Sequence, residues 1–402
     1  MNNWRETTLG KVANIFTGYP FKSEFYSEGL QDVRLLRGDN ISQGVMDWSD
    51  AKKWPVELLK DFQEYLLDEG DIVLAMDRPW IGAGLKYSQI INSDLPALLV
   101  QRTARLRGSS DLDIGYLKYI IGSPWFTNYI KRITTGSLVP HISLKQIREF
   151  PVNLPSIDEQ KAAAAVLQVI DKKIVLNNRV NVELEAIAKT FYDYWFVQFD
   201  FPDANGNPYK TSGGKMVYNQ TLKREIPEGW SAGTVGEVIG KTPQATKIPA
   251  KEFGETGKYP VIDQSQTYIC GFTNDETAKI KPATAHVIFG DHTRAVKLAN
   301  FDYARGADGT QVLVANSDEV PSYLLYQIVS DIDLSNYGYA RHYKFLKESK
   351  CVIPKCDISQ RYQCKVTPLY EMIRTNTFQN YELLRLRDWL LPMLMNGQVT
   401  VK

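Results

Sequence analysis

Residues 176–184 read LNNRVNVEL and fall in the middle of a long amphipathic pattern. Stepping by three and four gives Leu167, Ile170, Ile174, Asn177, Asn181, Leu184, Ala188, Phe191 and Trp195, the heptad-like spacing of a helix that packs along one stripe. Asn177 and Asn181 sit inside that stripe, one turn apart. Asparagine is a mediocre helix former, and burying its amide unpaired costs on the order of 1–3 kcal/mol. Adding 199 to each number gives Val366, Leu369, Ile373, Asn376, Asn380, Leu383, Arg387, Leu390 and Leu394. The stripe repeats, and both asparagines return with it.

Two repeats related by an approximate two-fold axis would pack these helices antiparallel, with Asn177 opposite Asn380 and Asn181 opposite Asn376. Facing amides hydrogen-bond each other, which removes the burial cost and penalises slipped registers. A coiled coil of about 40 residues is about 60 Å long, stiff enough to act as a spacer. Pro368 predicts a kink or break near the start of the second helix.

Working outward, the rest of the chain is duplicated as well. Trp4 opens WRETTLGKV and Trp230 opens WSAGTVGEV, with Gly10 and Val12 matched by Gly236 and Val238. Each copy then turns strand-rich, with short apolar runs such as DIVLAM (71–76) and AHVIFG (285–290) between Gly and Asp turns. Helical stretches follow, YLKYIIGSPWFTNYIKRI in one copy and YLLYQIVSDI in the other. FPVNLPSIDEQK (150–161) and CVIPKCDISQR (351–361) then lead into the long helices. The expected fold class is α+β: two repeated mixed α/β domains joined by two long antiparallel helices, with pseudo-two-fold symmetry. The boundaries are 1–153 for the first mixed domain, 154–198 for the first helix, 199–229 for an ordered or semi-ordered linker rich in Gly, Pro, Asn and Asp, 230–354 for the second domain, and 355–402 for the second helix and tail.

A chain of 402 residues exceeds what one core supports, in keeping with two domains. No apolar run reaches the roughly 18 residues of a membrane span, and MNNWRETTLGKV lacks a signal-peptide core, so a cytoplasmic location with no membrane partner is expected. Cys270, Cys351, Cys356 and Cys364 carry no paired metal motif and are expected to be reduced, structural thiols. The net charge of +1 rules out binding nucleic acid through bulk charge, so any such binding must use local patches.

Catalytic patterns are weak. GEVIGKT (236–242) has one residue too few between its glycines for a phosphate loop, and it aligns with LGKVANI of the first copy. The glycine-rich cofactor loop and Asn/Asp-Pro-Pro-aromatic strip of a DNA methyltransferase are missing. His141, His286, His292 and His342 are scattered, and no metal or cofactor site is expected.

The loops offer basic and hydrogen-bonding side chains instead, suited to phosphates and base edges. In the first copy these are Arg34, Arg37 and Asn40 of RLLRGDN; Arg78, Trp80 and Lys86 of MDRPWIGAGLK; Arg105 of QRTARLR; and Lys131, Thr135, Ser137, His141 and Lys145 of KRITTGSLVPHISLKQIR. In the second copy they are Lys247 and Lys251 of TKIPAKEFG; His292, Arg294 and Lys297 of FGDHTRAVK; Arg305 of YARGADGTQ; and Arg341, His342 and Lys344 of YGYARHYKFLK. Arg78 and Arg294 follow short strands at corresponding places. Equivalent loops with different residues suit two similar domains that read different things.

With this architecture, the chain resembles the specificity subunits of type I restriction-modification systems. The resemblance rests on LPSIDEQK at the start of the first helix, LLPMLMNGQV (390–399) at the end of the second, NPYKTSGGKMVYNQTLKREIPEGW between the repeats, and GDIVLAMDRPWIGAGLK (70–86). It implies two target recognition domains, each reading one half of an asymmetric bipartite duplex DNA site, with the helices setting the gap. It further implies no chemistry in this chain, with two modification subunits using S-adenosylmethionine and restriction subunits using ATP and Mg2+. The sequence departs from the pattern at IPKCDISQR, where Ser359 stands at the Glu159 position. A closing contact between the terminus and the beginning is also expected. The competing readings are the recognition half of a system fused to a methyltransferase or nuclease, and a coiled-coil adaptor that binds no DNA.

Overall fold

The computed structural model describes residues 4–81, 84–134, 140–307, 309–338 and 341–401. They divide into two compact units, one of residues 1–174 with 381–402, the other of residues 175–380. In each, a short opening strand pairs antiparallel with the strand that precedes the long helix: Arg5–Thr8 with Pro151–Leu154, and Ser231–Thr234 with Lys350–Ile353. A single helical turn follows each opening strand, Leu9–Val12 and Val235–Val238, which is the structural content of the WRETTLGKV and WSAGTVGEV match.

Each unit then builds two small sheets. In the first unit one sheet runs in the order Asn14–Thr17, Thr103–Arg107, Ile72–Ala75, Tyr87–Gln89, and the other in the order Lys53–Trp54, Val33–Leu36, Ala97–Leu99. In the second unit the orders are Val296–Ala299, His286–Gly290, Thr310–Leu313, and Gly271–Thr273, Tyr259–Ile262, Tyr303–Arg305, Lys279–Ile280. Both units contain one parallel pair, Val33–Leu36 with Ala97–Leu99 and Tyr259–Ile262 with Tyr303–Arg305. The apolar runs Ile72–Ala75 and His286–Gly290 are buried throughout, as strands covered on both faces must be.

The first long helix spans Ile157–Tyr192 and starts with a capping box, in which the Ser156 amide donates to Glu159 Oε2 at 2.9 Å. The second spans Cys356–Met395 and continues without a break through Pro368. A proline inside a helix costs about 3 kcal/mol, and here Tyr362, Val366 and Tyr370 flank it as buried anchors, each contributing about 1.5–3 kcal/mol. Burial on both sides outweighs the break expected from sequence. The offset of 199 also corrects the comparison of helix starts: it places Ile358 opposite Glu159, and Ser359 opposite Gln160. Gln160 Nε2 donates to the Asp111 carbonyl at 3.0 Å and Ser359 Oγ to the Glu319 carbonyl at 2.6 Å, so the two side chains do the same work.

The inter-repeat segment is folded. Phe201 stacks on Tyr209 and Trp230 with ring centroids 4.6 and 5.1 Å apart, and Met216–Asn219 pairs with Arg224–Pro227 as a hairpin. Phe199, Phe201 and Trp230 belong to the core of the second unit. Leu391 and Leu394, near the other end of the chain, are buried in the first unit's core with Leu9, Leu154 and Leu167.

Candidate nucleic-acid interface

In the first unit, the loops leaving the ends of Val33–Leu36, Ile72–Ala75 and Ala97–Leu99 converge. A Cβ on Gly38 would sit 3.6 Å from that of Ala75, and the Met76 amide donates to the Arg102 carbonyl at 2.9 Å. Asp77 is the hub of this rim. Its Oδ2 accepts from Arg102 Nη1 at 2.8 Å, its Oδ1 meets His141 Nδ1, and the backbones of 77 and 141 form an isolated antiparallel bridge. Partial burial works against the Asp77 carboxylate, but the contacts from His141 and Arg102 outweigh it and hold the group below the usual aspartate range. Arg78 follows with φ at +45° and its amide on the Pro140 carbonyl at 3.0 Å, its side chain exposed.

The second unit repeats the convergence with other groups. The Asp291 amide donates to the Gly309 carbonyl at 2.7 Å, and the His342 amide donates to the Asp291 carbonyl at 2.9 Å. The Tyr343 amide donates to Asp291 Oδ1 at 2.8 Å. A Cβ on Gly306 would meet that of Asp263 at 2.6 Å, so only glycine lets these two loops approach so closely. The exposed Arg294 takes φ at +61°, and its amide donates to Gly290 at 2.8 Å. Arg78 and Arg294 therefore both project from left-handed positions beside matching strands. The connections differ in length: residues 76–85 carry a small hairpin, Trp80–Ile81 with Gly84–Leu85, whereas Asp291–Ala295 is a tight turn.

The structure divides the sequence candidates. His141, Lys131 and Lys145 are exposed in the first unit, with Lys131 over the Trp80 ring at 5.7 Å and Lys145 3.7 Å from Glu149. Arg37 and Lys86 are half-buried on the same rim. Arg34 donates to the carbonyls of Ser93 and Leu95 at 2.9 and 3.1 Å and lies over Trp48. In the second unit Lys247, Lys251, His292, Arg341 and Lys344 are exposed, and Arg305 ends its strand half-buried. Thr135 and Ser137 lie outside the described residues.

Four candidates are corrected because they are buried and occupied internally. Asn40 receives the Arg37 amide at 3.0 Å and donates to the Asp47 carbonyl at 3.0 Å, fixing the turn that presents Arg37. Arg105 points inward from its strand to the Glu64 carbonyl at 3.2 Å and lies over Phe16 at 5.0 Å. Lys297 Nζ donates to the carbonyls of Asp263 and Thr267 at 2.8 and 2.5 Å, tying down the 263–267 loop from beneath. His342 bonds through its ring to the carbonyls of Asp291 and Gly338 at 3.0 and 3.1 Å. These residues shape the rim from behind. Sequence reasoning took Arg105 from QRTARLR and passed over Arg102, the exposed member at the turn. Aligning Thr103 with Thr310 would have found it, because that places Arg102 opposite Gly309.

The asparagines face each other as expected. Asn177 Nδ2 donates to Asn380 Oδ1 at 2.8 Å and Asn376 Nδ2 to Asn181 Oδ1 at 2.9 Å. Asn177 also donates to Gln379 Oε1 at 2.8 Å, and Asn380 to Asn178 Oδ1 at 2.7 Å. Asn177 and Asn380 are buried, and the network satisfies the amides that a simple apolar seam would strand.

Residues 1–186 match the type I restriction modification DNA specificity domain. The chain is 37% identical to the type I restriction enzyme EcoAI specificity subunit of Escherichia coli over 46% of its own length, a match that spans 31% of that protein. It is 22% identical to the type I restriction enzyme HindI specificity subunit of Haemophilus influenzae, across 99% of this chain and 100% of the other. The crystal structure of a type I restriction-modification system S subunit from M. genitalium superposes with a TM-score of 0.60 at 16% identity, covering 98% of this chain and 96% of that one, and so shares the fold. With a matching domain over its first 186 residues, relatives of both partial and full span, and a common fold, the chain is similar to the specificity subunits of type I restriction-modification systems.

Proposed function

We propose that the chain is a non-catalytic DNA-recognition subunit in which each unit reads one half of an asymmetric two-part duplex sequence and the two long helices set the gap between the halves. The observation that carries this reading is the recurrence of an exposed arginine on a left-handed turn beside converging strand ends, Arg78 in one unit and Arg294 in the other. Backbone strain concentrates where a side chain must be aimed, and arginine recognises guanine edges or phosphates. The rims differ in loop length and in charge around that shared point, which suits two different half-sites. On this reading the chemistry belongs to partners: two methyltransferase subunits using S-adenosylmethionine, and restriction subunits that translocate and cut DNA with ATP and Mg2+, all in the cytoplasm.

Selection of binding sites by the full chain, with its modification partner, from a pool of random-sequence duplexes tests the reading. Enrichment of two short sequences at a fixed separation supports it. Binding without sequence preference contradicts it and favours an adaptor.

A further inference from the structure

We propose that Arg102 reads a base in the half-site served by the first unit, with Asp77 holding its guanidinium in position. The inference rests on the DNA-recognition reading above and adds a specific residue to it. Thr103 faces Ala75 in one sheet as Thr310 faces Gly290 in the other, so Arg102 and Gly309 occupy matching places. Both have left-handed backbones, with φ at +64° and +66°, and their carbonyls accept from the amides of Met76 and Asp291 at 2.9 and 2.7 Å. Glycine adopts that conformation freely, whereas a residue with a Cβ is disfavoured there. The second unit shows that the turn closes without a side chain. The first unit nevertheless carries the longest basic one.

That side chain adds little to the core, because it is 71% exposed. It is held at one point, Nη1 on Asp77 Oδ2 at 2.8 Å, and His141 engages the other oxygen of the same carboxylate. A guanidinium anchored by one nitrogen keeps its planar fork oriented at little further entropic cost. Two parallel N–H donors match O6 and N7 of guanine in the major groove. Arg102 lies on the rim that also presents Arg78, joined to it through the Met76 amide and Asp77. The base expected to be read is guanine.

Arg102→Gly installs the second unit's own residue at this turn, so the melting temperature of the full chain should hold or rise. In selection from random-sequence duplexes, this variant should lose preference at one guanine of one half-site, lowering affinity for the best duplex on the order of 10- to 100-fold, with the other half-site unchanged. Arg102→Lys keeps the charge without the two-pronged fork; it should lose the same preference while retaining affinity for non-specific duplex and its salt dependence. Asp77→Asn should weaken preference at that same position only. An unchanged motif in Arg102→Gly, or equal weakening on every sequence, overturns the proposal while leaving two-part recognition standing. Absence of any enriched sequence with the unmodified chain overturns both.

Discussion

The long helices are fastened to the two units by different chemistry at matching positions. In the first unit Asp171 accepts from Lys118 Nζ and Tyr119 OH, each at 2.9 Å, and pairs with Arg387 at 3.3 Å. The offset of 199 puts Tyr370 at the Asp171 position and Ala188 at the Arg387 position. There Tyr370 stacks on Tyr323 at 4.5 Å, meets Tyr326 edge-on, and accepts from Gln327 Nε2 at 2.7 Å. The motif Tyr-Leu-x-Tyr recurs as 116–119 and 323–326, so the surrounding frame is conserved between copies while its contents change from ionic to aromatic. A duplicated scaffold tolerates that exchange as long as each buried polar group keeps a partner. The two junctions should therefore fail under different conditions.

The largest effect is expected from Asp171→Ala, which strands the Lys118 cation and the Tyr119 hydroxyl and leaves Arg387 with Asp388 alone. It should cost about 3 kcal/mol of stability in the first unit and leave the second unit's amide hydrogen-exchange protection intact. Acid should reproduce the asymmetry. Burial opposes the Asp171 carboxylate, but Lys118, Tyr119 and Arg387 prevail and depress its pKa. A depressed carboxylate stabilises fully above the unfolded aspartate value of about 4 and loses that contribution as pH falls below it. Exchange followed downward from pH 5 should show the first unit's helical junction opening before the second's.

Next in size is the clasp. Asn177→Ala leaves Asn380 buried without its acceptor's partner and should cost about 2 kcal/mol by denaturant unfolding. The double change Asn177→Leu with Asn380→Leu should recover most of that stability yet broaden the gap between half-sites, because an apolar seam no longer penalises slippage. Tyr370→Phe should cost about 1 kcal/mol in the second unit, by orphaning Gln327, and should show no acid sensitivity. Smallest in stability, within about 0.5 kcal/mol, are Arg78→Ala and Arg294→Ala. Each should nonetheless change one half-site and spare the other in the selected sequences, and uniform weakening would make them phosphate anchors instead.

The repeat, the two helices and the facing asparagines were legible because periodicity survives duplication: an offset of 199 carries a stripe and an amide pair together, and the Tyr-Leu-x-Tyr frame recurs at an offset of 207. Side-chain direction on the rims was not. Thr103–Arg107 has both faces covered, so alternation cannot say which arginine is outside, and the exposed one lies at the turn before it. Lys297 and His342 look like loop cations in sequence, but tertiary contacts supply carbonyls for them to bind. The segment 199–229 has the composition of an ordered or semi-ordered linker, and Phe199 and Phe201 packed with Trp230 supply its order. Pro368 predicts a kink or break but lies in an unbroken helix, because packing on both sides outweighs a local propensity.

The central claim is that two unlike rims read two unlike half-sites across a gap set by the helices. Co-expression of the chain with its modification subunits, followed by genome-wide mapping of methylated bases, tests it most directly. The account predicts a two-part motif with a fixed gap, lengthened without change in either half when one heptad is inserted into both helices. A continuous motif, no motif, or altered half-sites after the insertion would contradict it.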